Sequence, residues 1–195
     1  VPEFSCGALV LAAGSSSRLG QPKQLVELDG ESLLHRTARF ALETDCDPVW
    51  IALGHKADEM QKTLLDLPVR TIVNPEWKSG MGSSLAFGVK SIVVEGSAPA
   101  NLLLLVCDQL EVSADVLRAL IRLHRLENRE LTASQYGGKL GVPALFSARF
   151  YPELQAITGD KGARSILETY RIEAGCLDFP SGEKDLDTQD QMPKR

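Results

Sequence analysis

The beginning of the sequence carries no cationic segment followed by an apolar core, and no run of about 18 apolar residues occurs in it. It therefore reads as neither exported nor membrane-spanning, with the cytoplasm as the expected compartment. Metal-type or redox cysteine spacing is missing too: Cys6, Cys46, Cys107 and Cys176 are scattered and form no C-x-x-C pair. The expectation is four buried free thiols in a reducing compartment. Positive charge is not in excess, since the net charge is −5. That excludes broad attraction to nucleic acid or to an anionic membrane, so any phosphate must be gripped locally, which favours a small ligand. Internal repeats and low-complexity segments are absent as well.

Several familiar catalytic signatures are also lacking. G-x-x-x-x-G-K-[ST] fails because Gly20 is followed by Gln21 and Pro22, and G-x-G-x-x-G does not occur. Gly14-Ser15-Ser16 falls short of the G-x-S-x-G elbow of serine hydrolases. His35, His55 and His124 lie apart in the sequence and assemble no catalytic set.

What remains is an ordinary globular composition, 44% hydrophobic and 24% charged, in a chain of 195 residues. That length suits one domain over 1–195, with a nucleotide-binding part at about 5–126 and an acceptor-side part at about 127–180. Short apolar runs at 7–12, 49–53, 69–73 and 102–106 read as strands buried on both faces. Helical periodicity at 32–43, 57–65 and 85–93 alternates with them, and Ser113 is placed to cap a further helix to about His124. Residues 131–136 and 142–146, around Gly137-Gly138, read as a β excursion, followed by short helices near 148–156 and 161–170 and an irregular polar tail from Ser181. The fold class expected is a three-layer α/β/α domain with a mostly parallel central sheet.

In open α/β sheets ligands bind beyond the carboxyl ends of the strands. The first such loop reads Leu11-Ala12-Ala13-Gly14-Ser15-Ser16-Ser17-Arg18-Leu19-Gly20-Gln21-Pro22-Lys23. Its small residues let backbone N–H groups approach phosphate oxygens, its serines add hydroxyl donors, and Arg18 and Lys23 can neutralise a polyphosphate. Taken alone, the loop reads more readily as a Gly/Ser turn with solvated cations. A second stretch, Asn74-Pro75-Glu76-Trp77-Lys78-Ser79-Gly80-Met81-Gly82-Ser83-Ser84, enters a helix; its glycines permit close backbone approach and its serines lie where helix-start N–H groups can meet an anion. An N-capped helix after a turn accounts for it just as well. Leu102 to Val106 ends in Cys107-Asp108-Gln109, where a carboxylate is a hard-cation ligand or simply a turn former. Gly141-Val142-Pro143 and Gly159-Asp160-Lys161-Gly162-Ala163-Arg164 precede Asp185-Leu186-Asp187-Thr188 in the tail.

Together and in this order, these stretches resemble the nucleotidyltransferases with a Rossmann-like core that act on the molybdenum cofactor, the cytidylyltransferases most closely. The resemblance spans most of the chain. It implies magnesium-dependent transfer of CMP from CTP to the phosphate of the molybdenum-pterin cofactor, with Arg18, Lys23 and Asp108 as catalytic residues. Leu11 to Arg18, Lys23, Asn74, Gly80, Met81, Ser83 and Ser84 would hold the nucleotide; Gly141, Pro143, Gly159, Asp160, Gly162, Ala163 and Arg164 would hold the acceptor. Asp108 and Asp187 would hold the metal, and a molybdoenzyme of the xanthine dehydrogenase type would receive the product. Ala13 favours cytidine, because the related guanylyltransferases often carry Leu-Ala-Gly-Gly. Leu110, Val142 and Gln189-Asp190-Gln191 depart from the family's usual residues. A sugar phosphate acceptor, GTP-dependent transfer to the pterin, and a non-catalytic cofactor carrier remain alternatives.

Overall fold

The computed structural model describes residues 4–15, 20–96 and 98–186. Its first strand, β1 (Cys6–Ala12), is buried along its whole length, and successive side chains enter opposite layers. Leu9 and Leu11 join one core; Ala8, Val10 and Ala12 join the other. That period of two is what a strand covered on both faces requires.

After β1 come a short hairpin, β2 (Glu27–Leu28) and β3 (Glu31–Ser32), then α1 (Leu33–Leu42), β4 (Val49–Leu53), α2 (Ala57–Lys62), β5 (Arg70–Val73), α3 (Met81–Val94) and β6 (Asn101–Val106). Then follow α4 (Ala114–Leu126), β7 (Leu131–Tyr136), β8 (Lys139–Ser147), α5 (Tyr151–Gln155), α6 (Arg164–Thr169) and β9 (Gly175–Asp178). Among the described residues, the main sheet has seven strands in the order β5-β4-β1-β6-β8-β7-β9. β5, β4, β1 and β6 are parallel, and β8 runs against both β6 and β7. Helices α3, α5 and α6 bury side chains in one core and α1, α2 and α4 in the other, which makes the expected three layers. No described helix is long and apolar enough to cross a membrane.

Ser32 and Ser113 cap α1 and α4, accepting from the N–H groups of His35 and Val116, because a serine oxygen replaces the acceptor that a first helical turn lacks. Helix α3 begins at Met81, four residues before the periodicity places it, with Gly80 at its N-cap. The helix expected at 161–170 starts only at Arg164, since Gly162 has a positive φ of 53°. The helix expected at 148–156 divides into a 3-10 turn, Ala148–Phe150, and α5.

Three expectations are corrected. Strand β5 is not buried on both faces: it ends the sheet, and of its four residues only Ile72 is buried. Cys6 and Cys46 are joined as a disulfide across 40 residues, because the start of β1 lies against the loop preceding β4, where Asp47 N–H donates to Cys6 O. Only Cys107 and Cys176 are free, and of these only Cys107 is buried, so the argument from four buried thiols to a reducing compartment falls. The stretch from Ser181 to Leu186 is not irregular: Pro180–Glu183 forms a 3-10 turn, Asp185 bridges to Gln109, and Leu186 is wholly buried.

One buried histidine ties the second core together. His124 Nε2 lies 3.1 Å from Asn101 Oδ1 and its Nδ1 3.0 Å from Thr132 Oγ1, so the ring joins α4 to β6 and β7. An amide oxygen can only accept; Nε2 therefore carries the proton and the threonine hydroxyl donates to Nδ1. Burial pushes the His124 pKa down to about 4, against a weaker upward pull from Glu130. The unfolded chain therefore binds this proton first as pH falls below about 6.5, and stability is lost between there and about 4. Between pH 7.5 and 5 the wild type is expected to lose about 2 kcal/mol more than His124→Gln, measured by urea unfolding at both pH values. Equal losses in the two proteins would show that His124 is not the group responsible.

Candidate functional site

The parallel pairing of β1 with β6 sets Leu11 beside Val106, so the loop after β1 and the residues after β6 emerge together. Gln24, 1% exposed, fixes that loop from below: its Nε2 donates to Ala12 O at 3.1 Å and to Gly14 O at 2.7 Å. The same 3-10 turn, Lys23–Leu25, delivers Lys23 Nζ to Asp108 Oδ2 in an ion pair. Both side chains still meet solvent, with 23% and 13% exposed, so the pair is positioned without being sealed.

A cavity of about 260 Å³ opens over these groups. Of the residues expected to hold a nucleotide, Leu11, Ala13, Gly14, Ser15, Lys23, Gly80, Met81 and Ser84 line it, and Asp108 joins them. Ala12 points into the opposite core. Asn74 and Ser83 do not line it but build its wall: Asn74 Nδ2 donates to Ser83 Oγ at 3.0 Å and Ser84 Oγ at 3.1 Å, while its Oδ1 accepts from Glu76 N–H at 2.9 Å. With its amide spent on both sides, Asn74 clips the loop after β5 to the start of α3. Ser16, Ser17, Arg18 and Asp187 lie outside the described residues.

A second cavity, about 430 Å³, shares Leu11, Met81 and Val106 with the first. Gly141, Gly162, Ala163 and Arg164 line it. Pro143 does not; its carbonyl accepts from Ser134 Oγ at 2.9 Å inside the sheet. Gly159 and Asp160 lie elsewhere than expected: Asp160 lines the first cavity, and Gly159 O accepts from Gly82 N–H at 2.7 Å. This approach needs glycine, since a Cβ at Gly82 would come within 2.7 Å of Gly159 O, and Gly80 has a φ of 105°.

Sequence reasoning missed Gln24, Trp77 and Lys78 at the first cavity and Tyr136, Lys139, Glu183 and Asp185 at the second. It also missed Gln109, whose Nε2 donates to Val142 O at 3.0 Å and Gly182 O at 2.9 Å, holding β6 to β8 and to the returning chain. Leu186 N–H then donates to Asp108 O at 3.0 Å. The positions beside the Asn-Pro-Glu stretch were visible signals for Trp77 and Lys78; nothing local marks Gln24 or Gln109.

Nucleophilic catalysis by the neighbouring thiol has no support, because burial pushes Cys107 up to about 12. No histidine lines either cavity. The arrangement is suited instead to an anion held by backbone and lysine next to a carboxylate, with a second ligand across a shared wall. As a metal ligand set, the described residues contain no group of three or more His, Cys, Asp or Glu side chains. Asp108 alone nevertheless fits a cation of the magnesium type, which is commonly held by one or two carboxylates with phosphate oxygens and water.

Residues 8–174 match the family of the MobA-like NTP transferase domain. Nicotine blue oxidoreductase of Paenarthrobacter nicotinovorans is 30% identical over 94% of the chain and 93% of its own length. Probable molybdenum cofactor guanylyltransferase of Synechococcus elongatus is 41% identical over 52% of the chain and 49% of its own length. The crystal structure of Rv0371c from Mycobacterium tuberculosis superposes with a TM-score of 0.80 at 25% identity, covering 98% and 96% of the two chains. The same protein has been solved in complex with manganese, with a TM-score of 0.76 at 23% identity and 96% of each chain covered.

Proposed function

The chain belongs to the MobA-like NTP transferase domain family, and from that premise we propose that it transfers CMP from CTP to the phosphate of the molybdenum-pterin cofactor and releases pyrophosphate. The observation that carries the reading is the pair of cavities joined at Leu11, Met81 and Val106, with the Lys23–Asp108 pair on the donor side. Two substrates can meet there without a covalent relay through the protein.

The acceptor's phosphate oxygen attacks the α-phosphorus; a P–O bond forms, and the bond to the β-phosphate oxygen breaks with its electron pair leaving on pyrophosphate. The attacking oxygen is already ionised, so no protein base is needed. Gly14 and Ser15 present backbone and hydroxyl donors to the triphosphate, Lys23 offsets the charge that develops on the leaving group, and Arg18 is proposed to act with it. Asp108, and Asp187 directly after the Leu186 that bonds to Asp108 O, are proposed to hold magnesium. The ion would supply charge neutralisation of the triphosphate. Lys139, Lys161 and Arg164 around the second cavity suit a phosphorylated acceptor. Delivery to a molybdoenzyme of the xanthine dehydrogenase type is the corresponding downstream step, and the cytoplasm its compartment.

Ala13, at the cavity, supports CTP; the similarity to a guanylyltransferase supports GTP as the competing donor. Pyrophosphate release from CTP, GTP, ATP and UTP, with magnesium and molybdenum cofactor and with Asp108→Ala as control, decides between them. Release with CTP that is lost in the variant supports the reading. Stable cofactor binding with no release from any donor would replace it with a carrier.

A further inference from the structure

The segment from Gly159 to Arg164 reads in sequence as one acceptor-side unit, yet the chain divides it between the two cavities. Asp160 lines the first, with Gly14, Lys23 and Asp108; Lys161, Gly162, Ala163 and Arg164 line the second. Gly82 N–H holds Gly159 O at 2.7 Å, and a Cβ on Gly80 would collide with Asp160 Oδ1, so the carboxylate lies directly over the glycine that opens α3. Among the described residues it has no hydrogen-bond or ion-pair partner, which leaves both oxygens able to accept.

From this we infer that Asp160 binds the ribose hydroxyls of the nucleotide donor and makes the site select ribonucleotides over 2′-deoxyribonucleotides. The inference rests on the nucleotidyltransferase reading above. Attack across two cavities places the α-phosphorus at their shared wall of Leu11, Met81 and Val106, and the ribose is the part of the donor bonded to that phosphate. Asp160 belongs to a segment that lines both cavities. A carboxylate there repels phosphate oxygens and accepts only, whereas a vicinal diol offers two O–H donors to its two oxygens. The acid therefore sorts the donor by its sugar, while Lys23 and the Gly14 loop meet the phosphates.

The test is calorimetric titration of the magnesium complexes of CTP, GTP, UTP, 2′-deoxy-CTP and 2′-deoxy-GTP into wild type, Asp160→Ala and Asp160→Asn. A hydrogen bond to a charged group predicts that wild type favours the ribose form by about 10-fold or more. Asp160→Ala should bind the ribose and deoxy forms equally, the deoxy form losing only the bond from its 3′-OH, and the affinity that remains shows that the variant is folded. Asp160→Asn should fall between. Discrimination that survives in Asp160→Ala overturns the inference. Loss of CTP-over-UTP preference in place of ribose preference also overturns it, assigning Asp160 to the base. Weakened affinity for the acceptor phosphate with donor binding intact returns the residue to the acceptor side. Wild type that binds no nucleotide overturns the nucleotidyltransferase reading together with this one.

Discussion

Lys23→Ala is expected to lower kcat by on the order of 10²- to 10³-fold while leaving the fold in place, the usual loss when one well-placed donor to a developing charge is removed. The ammonium sits in an ion pair with Asp108, so it must turn from the carboxylate to the triphosphate when the donor binds. Both groups retain contact with solvent, at 23% and 13% exposure, and water therefore dampens the cost of breaking the pair. The thermal midpoint should move little. Steady-state turnover with the preferred nucleotide, beside a melting curve, checks both halves. Wild-type turnover in Lys23→Ala would remove the lysine from the chemistry.

Asp108→Asn is expected to lower turnover at limiting magnesium by at least about 100-fold, since partners one shell beyond a metal already cost about 10- to 100-fold when altered. Its effect on nucleotide binding without metal should have the opposite sign. Once the carboxylate is neutral, Lys23 no longer divides its charge between Asp108 and phosphate, and metal-free nucleotide should bind at least as tightly as to wild type. Because the two side chains touch, their losses should not add, and the double variant should lie near the worse single one. A magnesium titration of turnover in all four proteins measures this. Normal activity of Asp108→Asn at limiting magnesium would refute the metal assignment.

Much of the sheet is legible in the sequence because β1, β4 and β6 are buried on both faces, and two-sided burial leaves runs such as Leu102 to Val106 with no polar interruption. Asp108 stands out for the same reason, as a carboxylate closing such a run. β5 misleads, since Val69, Ile72 and Val73 give the composition of a central strand to one that ends the sheet. β9 has the opposite fault: Gly175-Cys-Leu-Asp carries too little pattern to mark a strand, and only pairing with β7 makes it one. The hairpin of β2 and β3 was signalled by Asp29-Gly30, both at positive φ, but its strands are only two residues each.

The candidate site divides along similar lines. Loops attached to strand ends can be found by looking just past the apolar runs. Contacts made by packing cannot: Gln24 reaches back to the carbonyls of Ala12 and Gly14, Gln109 reaches forward to Val142 and Gly182, and neither partner is implied by its neighbours. Asp160 shows the limit most clearly, since Gly159 and Gly162 turn the backbone on either side of it and separate residues that the sequence runs together. The polar stretch before residue 187 resembles a solvated tail, and its one large apolar residue, Leu186, was the available sign that it returns to the core.

That return has a consequence for how the molecule is made. A ribosome releases β1 and its loop before β6, but β8, the antiparallel neighbour of β6, emerges some forty residues after β6 itself, and the Leu186 bond to Asp108 O comes later still. A nascent chain ending at α4 would leave one side of β6 as an open edge, ready to pair with whatever strand is near. The protein therefore depends, during synthesis, on β8 reaching a strand made well before it, and any pause between α4 and β8 lengthens the interval in which that edge stands uncovered.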